Sequence, residues 1–573
     1  MITNPVPKIK WKLRKPRASR EQLHKLAHEL EVSPILCALL HQRGMTTYED
    51  MLFFLSPGLR YLPPLETWPE LQEAATLITS FVSSGKKIAV WGDYDVDGIA
   101  SAALLQDFFS LKGVTALTLL PHRIRDGYGL NMAGIEALAR DEVKLLITVD
   151  CGISNHQEIA RARELGMRVV LTDHHLPGRE LPEADVVINP KCQDSPHESL
   201  AGVGTAFFLA AALNRTLPGT PIDVRILLDL VALGTIADLV PLDATNRILV
   251  KNGLLLLSEA KRPGIYALKE AAGFCGTDSI GAGEVGFGLG PRINAAGRLD
   301  DPALALELLL CKDMDRARRI SGKLNTMNSQ RKKTEEEILK QAREQAKQYP
   351  RHSGLALFDP RWHPGVLGIV ASRLVEEFNR PCLVLTMEDG LIRGSGRSVA
   401  DFDLYLGLLT LQDQLCGFGG HSQAAGLSIL PEYLDSLRER FHHAVQEQLG
   451  PDLPQKEIEL DAELGFDALS ADFLQELELL QPFGPQNPRP VFLSPPLRVL
   501  DQTLFGKDRH VGFVLSDPDS GLRLRGQFWR QGNSLGQQSL KGKTLTLAYT
   551  PSMNTYRNLT SIRLNIREIL EIT

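Results

Sequence analysis

Short apolar runs alternate with segments of helical periodicity between residues 87 and 189. The runs are Lys87–Asp93, Val114–Leu120, Val143–Asp150, Arg168–Asp173 and Asp185–Asn189. The intervening segments, such as Ile99–Leu111 and His156–Leu165, have apolar residues spaced three and four apart. Continuous apolar runs joined by helices are typical of a parallel sheet that is covered on both faces. The sequence therefore predicts an α/β domain here.

The rest of the 573-residue chain divides where the pattern changes. Apolar residues recur at threes and fours from Cys311 to Tyr349, which predicts one or two long helices. Short β-rich runs follow residue 453 and predict a small closed barrel, of which the OB-fold is one candidate. We expect a multidomain α/β protein with these parts: a basic arm and short helices (1–70), a parallel-sheet domain (71–310), a connecting helix (311–350), a smaller α/β domain (351–452) and a barrel (453–573).

The charge distribution is more informative than the net charge of −6. Seven Lys and Arg residues lie between Lys8 and Arg20, and twelve lie in each of the stretches Lys312–Arg351 and Arg489–Arg567. Such stretches can bind a polyanion even when the rest of the chain is acidic. Ordinary solvated surface is the alternative interpretation of each stretch.

Cysteine usage and hydropathy indicate the compartment. The seven cysteines are scattered without a C-x-x-C pair, which fits free thiols in a reducing environment. We find no apolar run long enough for a transmembrane helix, and the basic N-terminus lacks the apolar core of a secretory signal. We therefore expect a cytoplasmic protein without membrane association, with a basic transit peptide as the alternative for the first residues.

Acidic and histidine side chains follow three of the predicted strands. They are Asp93, Asp95 and Asp97 in GDYDVDG, Asp150 in ITVDCG, and Asp173, His174 and His175 in VLTDHH. In open α/β sheets the carboxyl ends of the strands meet at one edge, so these side chains should converge. Carboxylates and imidazoles suit Mn²⁺, Mg²⁺ or Zn²⁺, and the absence of cysteine argues against a structural zinc site. Such a cluster can hold two ions about 3.5–4 Å apart.

Two other interpretations of these acids are weaker. D-x-D-x-D-G also begins an EF-hand calcium loop, but that loop requires an acid at the position occupied by Leu104. A single aspartate at a strand end is often a helix cap. Three acidic or histidine-bearing strand ends together are better explained by a shared metal site.

Four motifs resemble those of the DHH phosphoesterase superfamily, in the same order: GDYDVDG, TVDCG, TDHH and GTIADLVP. On that resemblance, the metal ligands would be Asp93, Asp95, Asp97, Asp150, His174, His175 and Asp238. Asp238 is expected in the middle of a helix among apolar residues, where a buried carboxylate is costly unless a metal pairs with it. Asp173 would orient a histidine rather than bind metal.

Later motifs narrow the resemblance. GGHSQAAG (419–426) is similar to the glycine-rich motif of the DHH-associated domain, and RGSGRS (393–398) supplies phosphate-suited groups. PHRIRDGYGL, GPRINAAGRLDDP, WHPGVLGIVASRL and QPFGPQNPRPVF resemble the RecJ-like exonucleases of the superfamily. That resemblance implies 5′→3′ hydrolysis of single-stranded DNA to 5′-mononucleotides with two Mn²⁺ or Mg²⁺ ions, in recombination and repair.

The resemblance also implies substrate contacts and partners. Arg123, Ser395 and Arg397 would recognise the 5′-terminal phosphate, Arg298 and His421 would contact the scissile or next phosphate, and His363 would also bind substrate. A single-stranded-DNA-binding protein and a helicase are the expected partners. In the barrel, five aromatic residues could stack on bases, with the barrel core as the alternative for each: Phe505, Phe513, Phe528, Trp529 and Tyr549.

Two other functions remain open. The first is a phosphoesterase for short oligonucleotides, cyclic dinucleotides, pyrophosphate or polyphosphate, but a small substrate does not require a C-terminal barrel. The second is a non-catalytic scaffold for DNA or proteins. Such a protein should have lost metal ligands, whereas all seven are present in this sequence.

Overall fold

A computed structural model of the chain describes residues 10–573 except 124, 193, 194, 196, 276, 277, 453, 454, 456, 537, 557 and 558. Lys8 of the predicted basic arm lies outside the described residues. The chain forms two units. The larger unit contains Leu65–Asp238 and residues 255–455, and the smaller unit contains residues 10–64, Leu239–Leu254 and Glu457–Thr573.

The strands are numbered in chain order. They are β1 Lys10–Leu13, β2 Ile88–Trp91, β3 Ala116–Leu119, β4 Leu145–Thr148, β5 Arg168–Thr172, β6 Val186–Ile188, β7 Leu355–Phe358, β8 Cys382–Glu388, β9 Leu391–Arg397, β10 Leu415–His421, β11 Ala424–Ile429, β12 Glu457–Leu460, β13 Ala462–Glu463, β14 Phe492–Leu493, β15 Leu497–Phe505, β16 His510–Ser516, β17 Arg523–Phe528, β18 Thr544–Tyr556 and β19 Leu559–Ile572.

The helices are numbered in the same way. They are α1 Arg20–Leu30, α2 Pro34–Gln42, α3 Tyr48–Leu55, α4 Pro69–Ser83, α5 Val96–Leu111, α6 Met132–Arg140, α7 His156–Glu164, α8 Gly202–Thr216, α9 Leu228–Ala237, α10 Ala244–Glu259, α11 Pro263–Ala272, α12 Ala282–Glu284, α13 Gly290–Leu299, α14 Ala303–Leu310, α15 Met314–Ala346, α16 Leu367–Phe378, α17 Leu404–Leu409, α18 Leu434–Leu449, α19 Ala471–Glu478 and α20 Gly532–Leu535. None of the described helices combines the length and the apolar run that a membrane crossing requires.

The first sheet of the larger unit is parallel, with the strand order β3-β2-β4-β5-β6. β2 and β4 are buried along their whole length, as expected for strands covered by helices on both faces. On one face, Ile135 of α6 and Ile159 of α7 share a hydrophobic core with Trp91. The predicted parallel α/β domain is confirmed.

A single helix, α15, occupies the segment for which the sequence predicted one or two helices. Asp313 caps its start, since its carboxylate accepts a hydrogen bond from the backbone N–H of Arg316 at 2.7 Å. Gly322 does not interrupt the helix, and a side chain at that position would meet nothing within 4 Å. The helix is therefore continuous over 33 residues.

The second sheet of the larger unit has the order β10-β11-β9-β8-β7, and only the β7–β8 pair is parallel within these described strands. Both glycine-rich motifs lie in this sheet, RGSGRS at the end of β9 and GGHSQAAG in the β10–β11 hairpin. Gly420 has a φ of +142°, and a Cβ there would lie 2.2 Å from the carbonyl oxygen of Ala424. The hairpin therefore requires glycine at this position.

The smaller unit contains a closed barrel. β15 pairs with β16, β16 with β17, β17 with β19, β19 with β18, and β18 with β15. This ring of five strands has the strand number of the OB-fold, so the predicted barrel is confirmed. The short strands β14 and β13 extend the sheet from β18.

Alternation along the barrel strands decides which predicted stacking residues can reach a ligand. Phe513, Phe528 and Tyr549 point inward and are at most 5% exposed. Stacking on bases is therefore wrong for these three residues, because they fill the barrel core. Trp529 is 48% exposed and Phe505 is half-buried, so both can still contact a ligand.

The N-terminal helices belong to the same hydrophobic core as the barrel. Leu36 and Leu39 of α2 lie in one core with Phe473 of α19 and Leu497 of β15. In addition, β1 pairs in parallel with β12, so the chain before α1 is hydrogen-bonded to a strand more than 400 residues later. No sequence pattern indicated this association.

Candidate metal centre

The parallel sheet brings the predicted acidic loops to one edge. β2, β4 and β5 are adjacent in the sheet, and the three chemically active loops follow directly after them. Asp95 also caps α5, since its Oδ1 accepts hydrogen bonds from the backbone N–H groups of Asp97 and Gly98 at 2.9 and 3.1 Å. The strand-to-helix turn thereby holds Asp93, Asp95 and Asp97 at the carboxyl end of β2.

Seven carboxylate and imidazole side chains converge in three overlapping groups. In each group the ligand atoms lie within 4.8 Å of one another. The groups are Asp150 with His174 and His175, Asp97 with His174 and Asp238, and Asp93 with Asp95 and Asp150. Because Asp150 and His174 each belong to two groups, the three groups form one continuous cluster.

Several atoms of the cluster are buried without a hydrogen bond. Within the described part of the chain, no hydrogen bond is made by Oδ1 of Asp93, Oδ1 of Asp150 or either ring nitrogen of His174. Nε2 of His174 lies 3.1 Å from Oδ1 of Asp150 and 3.5 Å from Oδ2 of Asp238. Leaving such groups unpaired costs about 1–3 kcal/mol each. Divalent cations would pair with the two carboxylate oxygens and with the unprotonated ring nitrogen of His174, so the residues fit the predicted metal centre.

The burial of several carboxylates close together also favours a bound cation. Burial, and then the charge of Asp95, raise the pKa of Asp97 to about 7 and that of Asp93 well above its usual value. Burial and the charge of Asp97 likewise raise the pKa of Asp150 and of Asp238. Burial lowers the pKa of His174 to about 3, so its imidazole is neutral and able to bind metal. The cluster carries more negative charge than its buried environment stabilises alone.

Asp173 contacts the histidine pair rather than the centre of the cluster. Its Oδ1 lies 2.7 Å from Nδ1 of His175 and accepts hydrogen bonds from the backbone N–H groups of His174 and His175. Its Oδ2 accepts a further bond from the backbone N–H of Ile153 at 2.9 Å. This geometry is the one expected of a residue that orients a histidine ligand.

Asp238 does not lie in the middle of a helix, as the sequence suggested. It is the C-cap of α9, because the following residue, Leu239, adopts a left-handed φ of +60° and ends the helix. Close packing of α9 against α5 depends on Gly234, where a Cβ would lie 2.6 Å from Oδ1 of Asp97. The helix end and this glycine together place Asp238 beside Asp97 and His174.

Some groups that shape the cluster were not predicted. The hydroxyl of Tyr128 lies 3.0 Å from Nδ1 of His175 and donates to the carbonyl oxygen of Asp150 at 3.2 Å. The carboxylate of Asp97 accepts hydrogen bonds from the backbone N–H groups of Gly202 and Val203 at 2.7 and 3.0 Å. Tyr128 lies in PHRIRDGYGL, a motif already noted, and a glycine at the start of α8 was the only sign of the second contact.

The predicted phosphate-binding arginines lie beside the cluster. The guanidinium of Arg123 lies 5.0 Å from the ring centre of Tyr94, the residue between Asp93 and Asp95. The end of α13 packs on Tyr94 through Gly297, and the next residue, Arg298, donates to the carbonyl oxygen of Gly365 at 3.1 Å. Burial, and then the charges of Arg123 and other arginines, lower the pKa of Arg298 to about 9. Several arginine side chains therefore lie close together beside the acidic cluster.

The remaining predicted substrate residues come from the second sheet and the segment before α16. Ser395 and Arg397 alternate along β9, and both lie close to Gly368, where a Cβ would be 2.9 Å from Nη2 of Arg397. Nδ1 of His363 accepts from the backbone N–H of Gly365, whose carbonyl oxygen binds Arg298. His421 is the exposed last residue of β10, and Arg397 and His175 are among its charged neighbours. The structure thus brings all six predicted residues to one region.

Models of three protein families match the chain. The DHH family N-terminal domain matches residues 87–235, the DHHA1 domain matches 352–447, and the RecJ OB domain matches 460–568. The first match includes the parallel sheet with six of the seven clustered residues, and the second includes the sheet that carries Arg397. Fold and site together define a protein of the DHH class.

Individual relatives narrow this class. The single-stranded-DNA-specific exonucleases RecJ of Salmonella typhimurium and Escherichia coli are each 36% identical to the chain. These alignments cover 94% and 95% of this chain and 96% of each relative. A crystal structure of RecJ in complex with Mn²⁺ from Thermus thermophilus matches with a TM-score of 0.84 and 32% identity, over 98% of this chain and 79% of that chain. This chain belongs to the RecJ family.

Proposed function

We propose that this protein is an exonuclease that hydrolyses single-stranded DNA from the 5′ end to 5′-mononucleotides, in DNA recombination and repair. One observation carries the proposal: seven carboxylate and imidazole side chains converge in a buried cluster beside a set of arginines. The name that the relatives share, single-stranded-DNA-specific exonuclease, supports the same substrate.

The cluster would hold two Mn²⁺ or Mg²⁺ ions. The proposed ligands are Asp93, Asp95, Asp97, Asp150, His174, His175 and Asp238, which form the three overlapping groups of the cluster. RecJ of Thermus thermophilus has been crystallised with Mn²⁺ and with Mg²⁺. When bound, such ions lower the pKa of a water molecule and neutralise charge that develops on the phosphoryl group. Asp173 would keep the ring of His175 in the orientation for binding.

The neighbouring cations would bind the phosphates of the substrate. Arg123, Ser395 and Arg397 would bind the 5′-terminal phosphate, while Arg298 and His421 would bind the scissile or next phosphate, with His363 as a further contact. Because Arg298 is buried, its hydrogen bonds to a phosphate oxygen are stronger than they would be in water. These residues would position the phosphodiester at the metal centre, next to the proposed ligands Asp93 and Asp95.

The outer face of the barrel would bind a longer stretch of the DNA strand. The register of β17 and β19 places Arg525 opposite Arg563. At one end of this face, the rings of Phe505, His510 and Trp529 lie 4.8–5.5 Å from one another, which offers a surface for stacked bases. The sequences of β16 and β17 and residues 559–567 contain no acid. Aromatic and basic groups together suit single-stranded nucleic acid.

End-labelled DNA tests the proposal directly. We expect the full chain with Mn²⁺ to release labelled mononucleotides from the 5′ end of a single strand and to leave a blunt duplex intact. Chelation of the metal should stop the reaction. Consumption of dinucleotides, cyclic dinucleotides or pyrophosphate without digestion of a long strand would contradict the proposal and favour a small-substrate phosphoesterase.

We also propose the partners, the location and the domain boundaries given by the sequence. A single-stranded-DNA-binding protein and a helicase would supply the substrate, and co-sedimentation with the purified proteins tests this.

The seven cysteines are unpaired, which supports a cytoplasmic location. The proposed boundaries are 1–70, 71–310, 311–350, 351–452 and 453–573, and limited proteolysis should cut near them.

A further inference from the structure

The buried face of α15 changes character along the helix. Near both ends the face is apolar, with Ala317, Ile320, Leu324, Ile338, Leu339, Ala342 and Ala346. In the middle it consists of Asn328, Arg331 and Glu335, which are spaced three and four residues apart and are at most 8% exposed. A helix that packs in hydrophobic cores at both ends has a polar middle only where polar groups or a ligand face it.

The charges in this polar middle do not cancel. Oε1 of Glu335 lies 2.6 Å from Nε of Arg373 on α16, and Oε2 lies 3.3 Å from Nη1 of Arg331. Two guanidinium groups therefore share one buried carboxylate, which leaves one positive charge over. The side chain of Arg373 is 29% exposed, but that of Arg331 is only 10% exposed. An uncompensated charge in a buried position is costly, so a further anion beside Arg331 would stabilise this triad.

Four buried polar atoms of these residues are without hydrogen bonds. In the described part of the chain they are Oδ1 of Asn328, Nε of Arg331 and both carboxylate oxygens of Glu335, which contact the two guanidinium groups only as ion pairs. Arg331 and Arg397 are also among the charged neighbours of Arg298. The positive charge that the triad leaves over therefore lies close to the arginines beside the metal centre.

We propose that the polar middle of α15 is a further phosphate-binding subsite, in which Arg331 contacts a phosphodiester of the bound strand. Arg373 and Glu335 are positioning residues that hold the guanidinium of Arg331. The inference rests on the proposed function, because a nucleic-acid strand supplies the anion. A phosphate group beside this guanidinium accepts from its N–H groups and cancels the leftover charge.

The salt dependence of strand binding tests the subsite. Binding of a long single-stranded oligonucleotide is measured for the metal-free full chain at several salt concentrations. Arg331→Met should lower the affinity about tenfold and flatten the slope of log K against log salt by about 0.7, the contribution of one phosphate contact in a single strand. Lys333→Met removes an exposed charge from the same helix and is the matched control, with an unchanged slope expected.

Two further variants keep the test decisive. Arg331→Met leaves Glu335 paired with Arg373, so the fold should tolerate it, and Arg331→Gln replaces it if thermal unfolding shows otherwise. Arg373→Met retains the charge of Arg331 and should weaken binding with the slope preserved. Equal slopes and affinities for Arg331→Met and Lys333→Met would overturn the subsite. If the wild-type chain digests single strands, that result leaves the proposed function standing; if it neither binds nor digests them, the proposed function fails first.

Discussion

Oδ1 of Asp173 lies 2.7 Å from Nδ1 of His175 and also accepts hydrogen bonds from two backbone N–H groups. One oxygen therefore fixes both the loop after β5 and the ring of His175. Because Nδ1 is occupied, Nε2 of His175 is the nitrogen left for a cation. We therefore propose that the carboxylate of Asp173 acts on the metal centre through the orientation of this ring.

Replacement of Asp173 should weaken metal binding without removing a ligand. We expect Asp173→Asn to lower Mn²⁺ affinity about 10–100-fold, because the ring of His175 loses its charged partner. Titration calorimetry with Mn²⁺ measures the change, and excess Mn²⁺ should restore part of the activity. Asp141→Asn, at an exposed aspartate in the same unit, is the control. An unchanged Mn²⁺ affinity in Asp173→Asn would rule out the orienting role.

Replacement of Asp150 should separate stability from function. Asp150→Asn removes a buried charge whose pKa is raised by burial and by neighbouring carboxylates. The metal-free variant should be more stable than the wild type by about 1–3 kcal/mol, the order expected when a buried group without a partner loses its charge. Asparagine also tolerates the φ of +60° at this position. Hydrolysis and stabilisation by Mn²⁺ should both be lost, and chemical denaturation with and without Mn²⁺ checks this.

Stabilisation by metal should depend on pH. The pKa of Asp97 is raised by burial to about 7 in the folded protein. A carboxyl group with a raised folded-state pKa binds protons more tightly when folded, so metal-free stability falls as pH rises toward 7. Bound cations require the deprotonated ligands. The difference in Tm between Mn²⁺-loaded and metal-free protein should therefore widen from about pH 5 to about pH 8, and a constant difference would contradict this account.

Two glycines in helices should respond in opposite ways to alanine. Gly234→Ala forces a Cβ against Oδ1 of Asp97 and the side chain of Val203, so α9 must move away. We expect a loss of about 1–3 kcal/mol in stability together with weaker Mn²⁺ binding. Gly322→Ala on α15 meets open space and should stabilise the protein by about 0.5–1 kcal/mol. Denaturant unfolding of both variants measures the contrast.

The exposed side chain of Trp529 on the barrel should contribute to the binding of long substrates only. Trp529→Ala removes a stacking surface and should weaken binding of a long single strand by about 1–3 kcal/mol. Hydrolysis of a dinucleotide should be unchanged, because the barrel is not needed to hold it. Tyr61→Ala, which removes a similarly exposed aromatic ring from the same unit, is the control. Equal binding losses in both variants would count against stacking at Trp529.

The metal cluster was predictable because its signals are local. Three apolar runs end in acids or histidines, and parallel pairing then brings these ends together whatever the loops between them do. The position of Asp238 at the end of a helix was harder to predict from the sequence. GTIADLVP is apolar on both sides of the aspartate, and nothing in that pattern shows that Leu239 adopts a left-handed conformation and ends the helix.

Irregular strands were harder to recognise. The pattern of Leu497–Phe505 is interrupted by a bulge between Val499 and Asp501, which shifts the alternation of the strand. RGSGRS was interpreted only as a set of phosphate-binding groups, but it lies in β9. There Gly394 is needed because a Cβ would lie 2.2 Å from the carbonyl oxygen of Val384. Arg331 belonged to a basic stretch that resembled surface, and only packing reveals that it is buried.

The smaller unit is assembled from chain segments that are far apart in sequence, and this has a consequence for biosynthesis. Leu36 and Leu39 leave the ribosome early, yet the core that covers them contains residues beyond Glu457. Their apolar surface therefore stays exposed, or is covered by a chaperone, until translation is nearly finished and the rest of the core has been synthesised. A fragment that stops before Glu457 would keep this surface uncovered. An expression fragment of the larger unit should therefore also omit residues 10–64.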